Sequence, residues 1–290
     1  MTLYTTLLQP FADFGHMRRA LAACMAISAA GTPLGVFLML RRMALMGDAI
    51  SHAILPGVAV AFLISGTALW PMTLGGMAAG LLVATIAGAI ARVTPIREDA
   101  SITGIYLISI ALGIAIISMK TDAEELVHLL FGDVTQMRGD SLVMVVAFAS
   151  ISLMALAAIY RSLVVECFDP GFLRSVRGKG AWVHQIFLTL VVLMLVASFQ
   201  ALGTLMALGL MLLPAIAARF WAEDMDKMIG VSILLALVSS YSGLLLSFHA
   251  HIPAGSAIVL AAGAIYGVSV LVGSCGGILT RFLPQRHLEG

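Results

Sequence analysis

ALAACMAISAAGTPLGVFLMLRRMALMGDAISHAILPGVAVAFLISG, residues 20–66, decides how this chain is read. Two apolar stretches, Ala20–Leu40 and Met46–Gly66, flank a pair of arginines, Arg41 and Arg42. Each stretch is long enough to cross the hydrocarbon core of a bilayer as a helix, which takes about 20 residues. Inside the second stretch stand one carboxylate and one imidazole, Asp48 and His52. Four residues apart on a helix, they share a face and lie one turn from each other.

The pattern repeats outward from this segment. Further spans are expected at Pro71–Ala91, Ser101–Met119, Ser141–Tyr160, Trp182–Gln200, Leu202–Ala218, Met228–Phe248 and Ala254–Cys275. The expected fold is therefore all-α, a polytopic membrane protein of about nine transmembrane helices in one domain covering residues 1–290. The apolar run from Val183 to Ala218 is too long for one helix, and Gln200 with Gly203 marks the turn inside it. Composition agrees: 61% of the 290 residues are hydrophobic, 11% are charged, and mean hydropathy is +1.06. A soluble domain needs more polar surface than this. The net charge of +1 gives no sign of a nucleic-acid partner. Cys24, Cys167 and Cys275 are isolated and fit neither a disulfide framework nor a metal-binding pair. No removable signal peptide is read at the N-terminus.

Arginine and lysine placement orients the chain. Alternate loops hold Arg41, Arg42, Arg92, Arg97, Arg161, Arg174, Arg177, Lys179, Arg219, Lys227, Arg281 and Arg286, against Arg18, Arg19, Lys120 and Arg138 on the other side. The richer side is expected to be cytoplasmic, which puts the N-terminus outside and the C-terminus inside a cell membrane. Small residues four apart, at Gly31 and Gly35, Gly76 and Gly80, Ala84 and Gly88, and Gly263 and Gly267, predict close helix packing.

Two loops are more than turns. Residues 120–140, external by this topology, include a short amphipathic stretch with Glu124, Glu125 and His128, followed by Asp133 and Arg138. These form a candidate docking surface for an outside partner. Residues 166–180, internal, read ECFDPGFLRSVRGKG. Asp169 suits a helix cap ahead of Pro170, with Phe172, Leu173 and Val176 on the apolar side. Either a protein partner or the membrane interface would cover that side.

An Asp at the centre of a membrane helix costs roughly 2.5–3.5 kcal/mol on insertion scales, so such residues face water paths or partners. Asp48 and His52 together reach one divalent ion, a ligand mixture that suits zinc, manganese or ferrous iron. The plain alternative is an Asp–His pair that ties two helices together. His249 and His251 fall at the outer end between the last two spans and share a face only in extended backbone. They are a second candidate site, at a pore mouth, with solvated loop histidines as the alternative. His16, His128, His184 and His287 are read as ordinary. Scattered methionines such as Met39, Met43, Met46, Met206 and Met211 read as apolar filler rather than copper ligands. Asp99 suits a cap at the start of the fourth span. No phosphate-binding G-x-x-x-x-G-K-[ST] occurs, and neither do H-E-x-x-H or G-x-S-x-G.

At residues 35–63, GVFLMLRRMALMGDAISHAILPGVAVAFL, the chain resembles the signature of the zinc, manganese and iron ABC-transporter permease family. Landmarks similar to that family follow in order. They are REDASITGIYLISIALG (97–113), HLLFGD (128–133), ECFDPGFLRSVRG (166–178), ALGTLMALGLMLLPAIAARF (201–220) and IPAGSAIVLAAG (252–263). The resemblance implies a membrane subunit without its own ATPase. Its implied partners are a second copy of the chain, a cytoplasmic ABC ATPase dimer, a periplasmic or lipid-anchored metal-binding protein, and membrane lipid, in a bacterial inner membrane. It implies pathway ligands at Asp48 and His52, and ATPase coupling through Phe168, Asp169, Pro170, Phe172, Leu173, Arg174 and Val176. No permanent cofactor is implied, only the transported ion. His251 stands where the family usually has Asp, which leans the cargo toward zinc, with manganese or ferrous iron as the alternative. Two readings of other classes are an ATP-independent secondary transporter using Asp48, and a membrane metalloenzyme uniting Asp48 and His52 with His249 and His251.

Overall fold

A computed structural model describes residues 7–66, 68–95, 98–118, 139–168 and 180–282. Among them the helices are α1 (Gln9–Asp13), α2 (Gly15–Leu40), α3 (Ala44–Ala53), α4 (Leu55–Ser65), α5 (Leu69–Val93) and α6 (Glu98–Ser118). After the next segment come α7 (Gly139–Phe168), α8 (Gly180–Leu202), α9 (Thr204–Ala218), α10 (Met225–Ala250), α11 (Ala254–Val272) and α12 (Ile278–Phe282). Among the described residues seven stretches can cross a membrane by length and composition, with α3 and α4 together forming one of them, Ala44–Ser65. Two shorter apolar helices, Ala100–Ile116 and Met206–Ala218, lie at the fourth and seventh expected spans.

α2 and α8 form the centre. α2 packs on α7, α8, α9 and α10, and α8 packs on α2, α3, α5, α7 and α9. Phe37, Leu34, Phe187 and Leu188 are fully buried where these helices meet, and the Phe37 and Phe187 rings meet edge to face at 6.2 Å. α3 and α4 lie against α5 and α6, while α9, α10 and α11 pack together on the other side.

Three breaks set this arrangement. After α2 the chain makes a Schellman turn: Met43 N–H bonds Leu38 O at 2.8 Å and Arg42 N–H bonds Met39 O at 3.0 Å. Arg42 occupies the left-handed position (φ 58°), where glycine is usual and an L side chain costs roughly 1–2 kcal/mol. The second expected span is interrupted at Ile54, because Pro56 has no N–H to offer the His52 carbonyl and its ring crowds that carbonyl. Gly203, at φ 88°, separates α8 from α9 close to the turn expected with Gln200.

Lipid supplies no hydrophobic drive between helices, so close backbone approach has to hold them. A Cβ on Gly57 would meet the Gly75 carbonyl and lie 2.6 Å from Ala79 Cβ, and one on Gly75 would meet the Gly57 carbonyl. This mutual contact of α4 and α5 was not among the spacings singled out in the sequence. Gly35 backs onto the Met211 carbonyl, and Gly76 and Gly80 receive Ile54, Val58 and Val192. Gly88, Gly263 and Gly267 differ from expectation: a Cβ there meets nothing within 4 Å, so these small faces pack on no other described part of the chain.

The glycine contacts predict a contrast. Gly57→Ala should destabilise the detergent-solubilised protein by about 1–3 kcal/mol, because carbonyl and Cβ must part. Gly263→Ala should be neutral or stabilising by up to about 1 kcal/mol, since alanine favours helix and the site is open. Thermal unfolding of the two variants checks the difference.

Candidate functional site

The α3 helix shows why Asp48 and His52 stand apart from their surroundings. Met46, Gly47, Ala49, Ile50, Ser51 and Ala53 are buried as α3 packs on α6, α8, α5 and α9. Gly47 lies flush against α9, where a Cβ would come within 3.0 Å of Leu208 Cδ1. Ser51 donates its hydroxyl to the Gly47 carbonyl at 2.8 Å, which leaves no polar group loose on the buried side. The remaining face carries Leu45, Asp48 and His52, at i, i+3 and i+7. In a single chain the Asp48 side chain is 52% exposed and that of His52 40%.

His52 Nε2 lies 3.6 Å from Asp48 Oδ1. That is too long for a hydrogen bond and close enough for both groups to turn onto one ion. The pair is neither sealed in the core nor spent on joining two helices. Directly below it, Ser109 of α6 donates to the Ala53 carbonyl at 3.1 Å. Gly113 brings α6 against Leu55 and Pro56, where a Cβ would sit 3.3 Å from each. The helix break next to His52 is therefore braced from α6. Among the described residues no group of three or more His, Cys, Asp or Glu is placed to hold a metal, so no third such side chain among them joins Asp48 and His52.

The second histidine pair differs from expectation. His249 lies in the last turn of α10 and His251 follows in the left-handed conformation (φ 56°), so the two do not share an extended face. Their Nδ1 atoms bond backbone, His249 to Leu245 O at 2.9 Å and His251 to His249 O at 3.3 Å. The end of the bundle they occupy is the far one. The Phe14 ring, ahead of α2, packs on Phe248 at 5.5 Å, whereas α3 departs from the other end of α2. A single centre uniting Asp48 and His52 with His249 and His251 is thereby excluded.

Phe168 ends α7 and is exposed. Asp169, Pro170, Phe172, Leu173, Arg174 and Val176 lie outside the described residues, as do Glu124, Glu125, His128, Asp133 and Arg138; the Asp99 side chain is not described either. Cys24, Cys167 and Cys275 are free thiols. One cluster is not legible in the sequence: His184, which reads as an ordinary histidine, is buried beside Arg41, which reads as a loop cation.

The model of the ABC 3 transport family matches residues 13–273. The chain belongs to that family. It is 30% identical over 265 residues to the manganese import system permease protein ScaB of Streptococcus gordonii, covering 91% of this chain and 94% of that one. It is 28% identical to the chelated iron transport system membrane protein YfeD of Yersinia pestis, covering 93% and 89%. Its fold matches PsaBC from Streptococcus pneumoniae, solved in complex with Fab, with a TM-score of 0.81 and 27% identity over 95% of this chain and 98% of that one. The chain is thus a multi-pass membrane permease subunit of an ABC importer for divalent metal ions, and ATP hydrolysis resides in a separate partner. That assignment removes the ATP-independent transporter reading.

The brace under His52 is testable. Ser109→Ala removes one hydrogen bond and should cost about 1 kcal/mol, seen as a lowered unfolding temperature in detergent relative to the same substitution at exposed Ser242.

Proposed function

We propose that two copies of this chain set their α3 faces toward a shared path, and that Asp48 and His52 from each copy pass a divalent ion through it. The observation that carries this reading is the pair's exposure on the one open face of an otherwise packed membrane helix. Open to lipid, the carboxylate would be costly; open to a partner copy and a water path, it has a use. One chain supplies two ligands and two copies supply four, which leaves water to fill the remaining positions of a six-coordinate Mn2+ or Fe2+ ion.

The cargo favoured is Mn2+ or Fe2+. The relatives named above carry manganese and iron in their names, and a carboxylate with an imidazole suits both ions. The lean to zinc rested on His251, whose Nδ1 is directed to a backbone carbonyl at the end of the bundle away from α3, so it lends zinc little support.

The rest of the reading follows the charge distribution. The arginine-rich loops face the cytoplasm, with the N-terminus outside and the C-terminus inside. Residues 166–180 meet the ATPase through Phe168, Asp169, Pro170, Phe172, Leu173, Arg174 and Val176. Residues 120–140, with Glu124, Glu125, His128, Asp133 and Arg138, meet a metal-binding protein that delivers the ion. Residues 1–290 act as one permease domain. Alternating access then needs α3 to change the side toward which its polar face opens. A site with few ligands per chain holds the ion weakly enough to let it go.

Uptake of Mn2+ into vesicles holding the assembled transporter tests the ligands. Asp48→Ala and His52→Ala should each slow initial uptake at least about tenfold while the permease still inserts and binds its ATPase. Normal uptake by both variants would remove the pair from the mechanism. For the ion, cells lacking the chain should regain uptake of Mn2+ or Fe2+ when it is restored; recovery of Zn2+ uptake alone would reverse the assignment.

A further inference from the structure

The most unusual chemistry outside α3 lies at the junction of α2, α7 and α8. Arg41 follows the last residue of α2, and its guanidinium is almost enclosed, with 12% of the side chain exposed. Its Nη2 lies 3.2 Å from Glu166 Oε1, and the Glu166 side chain is 9% exposed. The same nitrogen lies 2.7 Å from His184 Nδ1. Arginine can only donate, so Nδ1 accepts and the imidazole proton sits on Nε2. The guanidinium also stacks over the Phe187 ring at 5.3 Å. Among the described residues the second terminal nitrogen, Nη1, is buried without a hydrogen-bond partner.

Such a cluster is a poor way to gain stability. Burying two charges takes them out of water, and well-packed apolar residues often do as well or better. What it does provide is a fixed geometry at one place. Glu166 lies in the last turn of α7, just before residues 169–179, and His184 lies in the second turn of α8, just after them. Both are held by the residue that opens the Schellman turn into α3. From Arg41 to Ala44 only Arg42 and Met43 intervene, and both donate to carbonyls of α2. There is no slack between the cluster and the ligand helix.

We propose that Arg41, Glu166 and His184 are positioning residues for transport: they clasp the end of α7 and the start of α8, which flank residues 169–179, to the α2–α3 turn, so displacement of those helix ends moves Asp48 and His52. This rests on the proposed function above, in which the segment meets the ATPase and the pair carries the ion. The clasp adds which side chains join them.

The test uses the assembled transporter in lipid vesicles with Mn2+ as the probe ion, reading ions moved and ATP hydrolysed in the same preparation. Glu166→Gln keeps shape and removes charge; Arg41→Met keeps the contact with Phe187 and removes charge. Each should leave ATP hydrolysis within about twofold and lower the ions moved per ATP about tenfold or more. The double variant should be no worse than either single one, because the residues act through each other. His184→Gln, which retains an acceptor, should keep more coupling than His184→Leu. In a Leu45→Cys chain, ATP with vanadate should change the rate of thiol labelling at position 45, and adding Glu166→Gln should abolish that change.

Unaltered ions per ATP in the Glu166 and Arg41 variants would overturn the clasp. So would a fall in transport and hydrolysis that merely tracks the amount of assembled complex, or failure of both variants to assemble, since either assigns the cluster to folding. Asp48→Ala separates the two ideas. If it stops uptake while the clasp variants couple normally, the ligand reading stands and the clasp falls. If uptake ignores Asp48→Ala, the ligand reading falls, while the ion-to-ATP ratio and the labelling at position 45 still report on the clasp.

Discussion

Between Leu40 and Ala44 the backbone leaves one helix and enters the next within three residues, held by two hydrogen bonds to α2 and by the left-handed Arg42. A longer or looser connection would let α3 rotate about its axis, and rotation by one residue swings a helical side chain by about 100°. Asp48 and His52 would then trade places with buried neighbours such as Ala49 and Ala53. The tight turn, the flush contact of Gly47 with Leu208 and the brace from Ser109 to Ala53 all resist that rotation. The polar face of α3 is therefore a consequence of how its other faces are occupied.

The bilayer explains the means used. Helices in lipid gain little by hiding apolar surface from apolar tails, so contact quality has to hold the bundle. Gly57 and Gly75 let α4 and α5 touch backbone to backbone, and Gly35 does the same for α2 and α9. Several hydroxyls inside the bundle return to their own helix: Thr32 bonds Ser28 O at 2.6 Å and Ser239 bonds Leu235 O at 2.7 Å. Polar side chains that do not fold back in this way stand out. Asp48 and His52 are one such set, and Arg41 with Glu166 and His184 is another. The first lies on the open face of α3 and the second where the ends of α2 and α7 meet the start of α8.

Much of this was legible in the residues themselves. The length of the apolar stretches decided the helices, because about 20 residues are needed to span hydrocarbon whatever the neighbours do. The spacing of Asp48 and His52 decided that they share a face, because helical periodicity is a local property. Gly203 marked the α8–α9 break because only a residue without Cβ adopts its backbone readily. The Gly-Asp-x-x-Ser-His-Ala run pointed to the family.

What a linear reading could not reach were facts that depend on which elements become neighbours. Gly263 and Gly267 have the same spacing as Gly31 and Gly35, yet one pair meets nothing and the other meets α9, because spacing says a helix can be approached and not which helix will come. His249 and His251 looked like a pair, but the end of α10 turned them onto backbone carbonyls. Arg41 counted as one more loop charge until α7 and α8 closed over it, bringing together residues 125 and 143 positions distant in the chain. Local sequence determined the helices and the shared face of Asp48 and His52, since those follow from backbone geometry and hydrophobic length. The tertiary structure decided which polar groups meet, since burial and partnership belong to the packed bundle and to no single segment of it.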